Sequence, residues 1–173
     1  MHVEQLIVPL RPEDREELTN LLMDSVEGGA SIGFLAPLQR ENAREYWVAT
    51  ASKAATGERL IVVAREEAGG PIVGSAQIAL ESRANGRHRA EVQKVMVHRR
   101  HRRGGIARSL MSEIEARART RDVRLLYLDT SEGPGGAGAF YEAIGYLYAG
   151  GIPGYALDPD GTPAKNAIYY KEL

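Results

Sequence analysis

Apolar residues recur along this chain at two different periods, and the switches between them divide it into elements. The run at 3–8, closed by Pro9, predicts a first strand. Pro12, Glu13 and Asp14 suit a first helical turn, where a missing N–H costs nothing and acidic charge meets the positive end of the helix dipole. Leu18, Leu21, Leu22 and Val26 continue that helix to Gly28 and Gly29. The segment 28–38, GGASIGFLAPL, is apolar yet too rich in glycine for a stable element. It reads equally well as a connector packed on the core and as a mobile wall over a substrate pocket. Residues 39–56 predict a second helix, with Tyr46 and Trp47 in the core or lining a pocket. ERLIVVAR at 58–65 and PIVGSAQIAL at 71–80 form a hairpin around EEAGG.

The next stretch, AEVQKVMVHRRHRRGGIARSL at 90–110, joins a strand, a basic turn and a helix. Plain alternation through the strand puts Val92, Lys94 and Met96 on one face and Glu91, Gln93, Val95 and Val97 on the other. Ile106, Ala107, Leu110, Met111, Ile114 and Ala118 recur at helical spacing and predict an amphipathic helix. Between them lie HRRHRR and the pair Gly104 and Gly105. A glycine turn at a helix start presents free backbone N–H groups and the positive dipole end, which suits phosphates. VRLLYLD at 123–129 is nearly continuously apolar, as a buried central strand would be. SEGPGG at 131–136 breaks it, and a short helix at 137–144 carries Phe140 and Tyr141. Two last strands, 146–149 and 167–172, flank the turn-rich segment 150–163, and Phe140, Ile144 and Leu147 are expected to be buried.

Composition narrows the classes. A chain of 173 residues that is 43% apolar can bury a proper core, and one domain over 1–173 is expected. A net charge of −1 gives no global reason to expect nucleic acid or an anionic membrane. With no cysteine there is no disulfide framework, thiolate metal site or cysteine nucleophile. The four histidines, at 2, 88, 98 and 101, have no metal-ligand spacing, so no metal is assigned. The N-terminus lacks a basic region followed by an apolar one, and no run approaches membrane-spanning length, so a cytoplasmic protein is expected.

Arg102, Gly105 and Ala107 fit the pattern R-x-x-G-x-[GA], and with the flanking strand and helix the chain resembles the GNAT acetyltransferase superfamily over most of its length. The resemblance implies an α/β fold with a mixed, mostly antiparallel central sheet and helices on both faces. It implies acetyl-CoA as co-substrate, held by the backbone of Val95, Met96 and Val97 and by the turn residues Arg102, Arg103, Gly104, Gly105, Ile106, Ala107 and Arg108. The strands ending at Val97 and Asp129 should then part, leaving a gap where the thioester meets an amine. An amine must shed a proton to attack, and Glu91 and Asp129 are the acids placed to take it. Tyr141 falls where relatives place a tyrosine near the departing sulfur. The acceptor implied is a primary amine on a small amino-acid-like molecule. A protein N-terminus or lysine is the alternative, and a non-catalytic polyanion- or acyl-CoA-binding module is an alternative of another class. Nucleic acid and membrane are not expected partners, and monomer and homodimer both stay open.

Overall fold

The computed structural model describes residues 1–133, 136–158 and 160–173, so Pro134, Gly135 and Pro159, within the two expected turn segments, lie outside the described residues. Strand β1 (His2–Gln5) is followed by helices α1 (Pro12–Glu27) and α2 (Arg40–Ala55). Strands β2 (Arg59–Arg65), β3 (Ile72–Leu80) and β4 (Arg89–Val97) come next, then a single 3₁₀ turn at Arg99–His101. Helix α3 (Ile106–Arg119), strand β5 (Leu125–Ser131), helix α4 (Gly138–Ala143) and strand β6 (Leu147–Gly150) continue the chain. Two short strands, β7 (Ala156–Leu157) and β8 (Pro163–Ala164), pair with each other before β9 (Asn166–Glu172). The short pair lies in the segment expected to be turns alone. Two residues per strand leave no alternation to read.

One seven-stranded sheet runs in the order β1-β2-β3-β4-β5-β9-β6, antiparallel at every step except β4–β5. Both faces are covered, as β2 records in its sequence: Leu60, Val62 and Ala64 join the core under α3, and Ile61 and Val63 join the core under α1 and α2. Gly74 lets α3 sit close on β3, since a Cβ there would stand 3.0 Å from Ile106 Cγ2 and 3.1 Å from Leu110 Cδ1. The mixed sheet with helices on both faces agrees with the fold expected. Leu147 does not: it is 58% exposed, and its neighbour Tyr146 is the buried residue.

Strand β4 departs from plain alternation. Gln93 pairs with Gln77 and Met96 with Ser75, so β4 spends one residue more than β3 over the interval. The extra residue is a bulge at Lys94, whose φ is +50°. Bulging flips the parity: Ala90, Val92, Val95 and Val97 all face the α3 core, and Met96 faces α1 and α2. The expected pairing of Val92 with Met96, and of Glu91 with Val95 and Val97, is therefore wrong. Glu91 shares the α1/α2 side with Met96.

The β4–β5 seam is short. It holds three parallel pairs, Arg89 with Leu125, Ala90 with Leu126 and Glu91 with Tyr127. Beyond these, β5 continues with β9 as far as Ser131 opposite Asn166, and β4 continues with β3 as far as Val97 opposite Gly74. The strands part as expected, and an unpaired edge of β4 is left in the middle of the sheet.

Candidate functional site

The parting opens a cavity on each face. On the α3 side a groove of about 360 Å³ is lined by Val95, Val97, His101, Arg102, Arg103, Gly105, Ile106, Ala107, Arg108, Ala137, Phe140 and Tyr141. Its floor is the turn joining β4 to α3. Gly105 caps the helix at φ +79°, a left-handed conformation that glycine adopts without cost. Nothing of this chain lies within 4 Å of a Cβ built at 105, so within the protein it is the backbone angle that calls for glycine. The N–H groups opening α3 have no carbonyl one turn back, and the residues that carry them, Ile106, Ala107 and Arg108, line the groove.

The basic run is held in shape rather than free. Asp24 accepts from Arg99 twice, from Nε at 2.8 Å and from the backbone N–H at 2.9 Å, and Glu27 accepts from Arg99 Nη2 at 3.2 Å. Burial alone would raise the Asp24 carboxyl, but these bonds outweigh it and hold it below the usual aspartate value. His101 lies 3.4 Å from Glu66. Arg102 donates Nε to the Val97 carbonyl at 3.2 Å, tying the turn to the end of β4. Arg102, Arg103 and Arg108 are left on the groove wall, and Arg99 is spent on α1.

Met96 and Gly104, expected among the cofactor contacts, do not line this groove. The Met96 side chain is 3% exposed and sits in the α1/α2 core because of the Lys94 bulge. Only its backbone lies along the β4 edge. Gly104 precedes the left-handed step and lies outside the wall.

The second cavity, about 340 Å³, opens from the other side of the seam. Ala30, Ser31, Ile32 and Gly33 form one wall, Tyr155 and Ala156 another, and Glu91, Gln93, Lys94, Asp129, Thr130 and Ser131 face inward. The glycine-rich connector thus walls this cavity at 30–33 and also packs on the α1/α2 core through Ile32, Phe34 and Leu38. Glu91 and Asp129 lie together on one cavity, as the sequence suggested, although Glu91 reaches it from the opposite face of β4 to that expected.

The cavities meet. Val95, Ala137 and Tyr141 line both. Tyr141, 6% exposed, is held by the rings of Phe140 at 5.2 Å, Tyr146 at 5.8 Å and Tyr169 at 5.9 Å. Burial first, and the charge of Asp129 second, push its phenol above the ordinary tyrosine value. The group stays protonated and can only give a proton to something more basic than itself.

Lys94 is the residue that sequence reasoning missed. Plain alternation made it one polar interruption on an apolar face. Its signal was the doubled polar pair Gln93-Lys94 in a strand of alternating apolar residues, the usual trace of a bulge. Burial, and then the nearby Arg59, lower its ammonium below the ordinary lysine value, while Glu91 and Asp129 pull it back up.

Among the described residues no cluster of three His, Cys, Asp or Glu is placed to hold a metal ion, and no helix is long and apolar enough to cross a membrane.

Comparison with known proteins gives a consistent reading. Residues 16–146 match the acetyltransferase (GNAT) family. An uncharacterized N-acetyltransferase from the hisH-hisA intergenic region of Azospirillum brasilense is 33% identical over 125 residues, which is 71% of each chain. Among solved structures, a ribosomal-protein-alanine N-acetyltransferase from Brucella melitensis superposes with a TM-score of 0.81 over 100% of both chains at 24% identity. A proposed acetyltransferase from Salmonella typhimurium, solved with its cofactor acetyl-CoA, gives 0.76 over 99% of this chain and 93% of that one at 18% identity.

Proposed function

Because the chain belongs to the GNAT family of N-acetyltransferases, which draw their acyl group from acetyl-CoA, we propose that its two cavities are the donor and acceptor halves of one transfer site. The observation that carries this reading is the meeting of a phosphate-suited groove and an acid-lined pocket at Tyr141. The donor supplies an activated acetyl thioester. Its pyrophosphate is the group that Gly105, the first N–H groups of α3 and Arg102, Arg103 and Arg108 are built to hold. The open edge of β4 at Val95 and Val97 offers backbone groups to an amide-bearing arm, as one strand offers them to another.

On the acceptor side, Glu91 and Asp129 hold an ammonium and take its proton, directly or through water. Attack by the freed amine then displaces a thiolate, to which the buried Tyr141 phenol, staying protonated, donates a hydrogen bond while the thiolate takes its proton from solvent. The acceptor is a small amino-acid-like amine. The walls at 30–33 and 155–156 favour a compact molecule over a peptide. The segments GGASIGF, AEVQKVMV, LYLDTSEG and AFYEAIGY resemble the tabtoxin resistance protein, an enzyme that acetylates an amino-acid-like toxin. On this reading residues 1–173 act as one cytoplasmic transferase domain. Mass spectrometry of reactions containing acetyl-CoA and a panel of small amines tests it. One acetyl group should appear on a compact amine, and acetylation confined to protein or peptide acceptors would overturn the small-molecule reading.

A further inference from the structure

Lys94 is the one residue of β4 with a positive φ, +50°. A left-handed conformation costs a residue with a Cβ about 1–2 kcal/mol, so the fold maintains this ammonium position against strain. Phe34 and Tyr46 stand around it, with ring centroids 5.8 and 5.6 Å from Nζ. Behind it, the Gln77 Oε1 atom accepts from Arg59 Nη1 at 2.8 Å and from the Tyr46 hydroxyl at 3.0 Å, while Arg59 Nε is buried with no partner. Lys94 is thus the cation on the cavity wall, with Arg59 behind it and near enough to act on its charge.

Glu91 and Asp129 line the same cavity and carry the opposite sign. Among the described residues Lys94 closes an ion pair with neither, although both are near enough to act on its charge. A half-buried lysine is normally solvated at its tip or paired. Here the cationic and anionic walls are held apart, which gives the cavity a dipole. The complementary occupant is a molecule with an ammonium at one end and an anion at the other, and 340 Å³ suits one of amino-acid size.

We propose that Lys94 anchors a carboxylate of the acceptor, so that the preferred substrates are zwitterions: amines that carry a free carboxylate within the same small molecule. The amine end goes to Glu91 and Asp129, facing the seam, and the carboxylate end goes to Lys94 between Phe34 and Tyr46. This rests on the acetyl-transfer reading above and names the recognition element on its acceptor side.

The test uses the full chain, acetyl-CoA, and the standard amino acids each paired with its own primary carboxamide, which removes the carboxylate charge and little else. The wild type should favour the free acid in kcat/KM by about 10- to 100-fold, the range expected of a charged hydrogen-bond anchor. Lys94→Gln keeps the polar reach and adds no new backbone strain. It should bring the ratio near one through a higher KM for the free acid, and Lys94→Arg should restore part of the preference. A wild type indifferent to the carboxylate, or a Lys94→Gln protein that keeps the preference, overturns the proposal. Where no amine in the panel is acetylated, the transfer reading fails, and titration calorimetry of the same pairs into CoA-loaded protein decides the anchor alone. Tighter binding of the acid that depends on Lys94 upholds it; equal or absent binding overturns it.

Discussion

At the scale of single residues, the two acids on the acceptor cavity make the most direct claim on chemistry. Glu91→Gln and Asp129→Asn preserve shape and remove charge. Each should lower kcat/KM by about 10²–10⁴-fold with acetyl-CoA affinity nearly unchanged. The deficit should shrink as pH rises toward the amine pKa of about 10, because neutral amine is then supplied by solvent. Near-normal turnover of both variants in steady-state assays between pH 6 and 9 would return the acids to a structural role. Tyr141→Phe keeps the ring among Phe140, Tyr146 and Tyr169, so kcat should fall while calorimetric acetyl-CoA affinity holds. Because the folded phenol titrates above its usual value of 10.0, the wild type should lose no activity to Tyr141 ionisation below that pH. The identities of these residues were legible because Glu91 begins an alternating run, Asp129 closes an apolar one and Tyr141 sits in a recognisable short helix. Their orientations were not. One extra residue in β4, at a φ of +50°, turns Glu91 and Lys94 toward the acceptor side, and nothing in simple alternation counts an insertion.

At the scale of elements, the turn between β4 and α3 is the part whose order and chemistry could be read in advance. A strand, two glycines and an apolar stripe each have a local cause, and each stands within a residue or two of its expected bounds. The contacts that fix the turn could not be read, because its anchors Asp24 and Glu27 come from α1, 75 and 72 positions away from Arg99. Two variants separate conformation from contact. Gly105→Asn places a side chain that tolerates φ +79°, and Gly105→Glu adds bulk and negative charge at the phosphate site. Calorimetry should find CoA affinity reduced in the first and abolished in the second, with circular dichroism unchanged. Retained affinity in a folded Gly105→Glu protein would remove the turn from the donor site. Arg102→Ala should cost about 1–3 kcal/mol of CoA binding, as loss of a charged donor does. Arg99→Ala, whose partners are α1 carboxylates, should lower the melting temperature and act on affinity only through the turn's order.

At the scale of the whole molecule, Arg65 joins the first strand and first helix to the sheet. It is 1% exposed and donates to Glu4 at 2.6 Å, to Asp14 at 2.6 Å and to the Gly70 carbonyl at 2.9 Å. The sequence shows only a charged end to ERLIVVAR, since the acids that neutralise Arg65 lie 61 and 51 positions away. Its hydrogen bond holds the Glu4 carboxyl below the usual value, and at Asp14 the bonds from Arg11 and Arg65 outweigh a burial that would raise it. Depressed folded values mean that this stability is whole above the reference values of 4.5 and 3.8 and drains away as pH falls below them. Arg65→Met should cost about 3 kcal/mol and flatten the acid limb of the melting-temperature curve, and Asp14→Leu added to it should recover part of the loss. The three-pair seam between β4 and β5 has a different consequence. It divides the sheet into two leaves, β1 to β4 and β5-β9-β6, which are hinged at one end, so a ligand lying in the opening serves as a temporary spar. CoA should therefore raise the melting temperature more than adenosine 3′,5′-bisphosphate does at equal ligand concentration, since the shorter molecule grips the turn without bridging the leaves and so binds less tightly. The spar must also come out once per cycle. Changes that zip the leaves together should give an empty protein that is harder to melt and an enzyme that turns over more slowly.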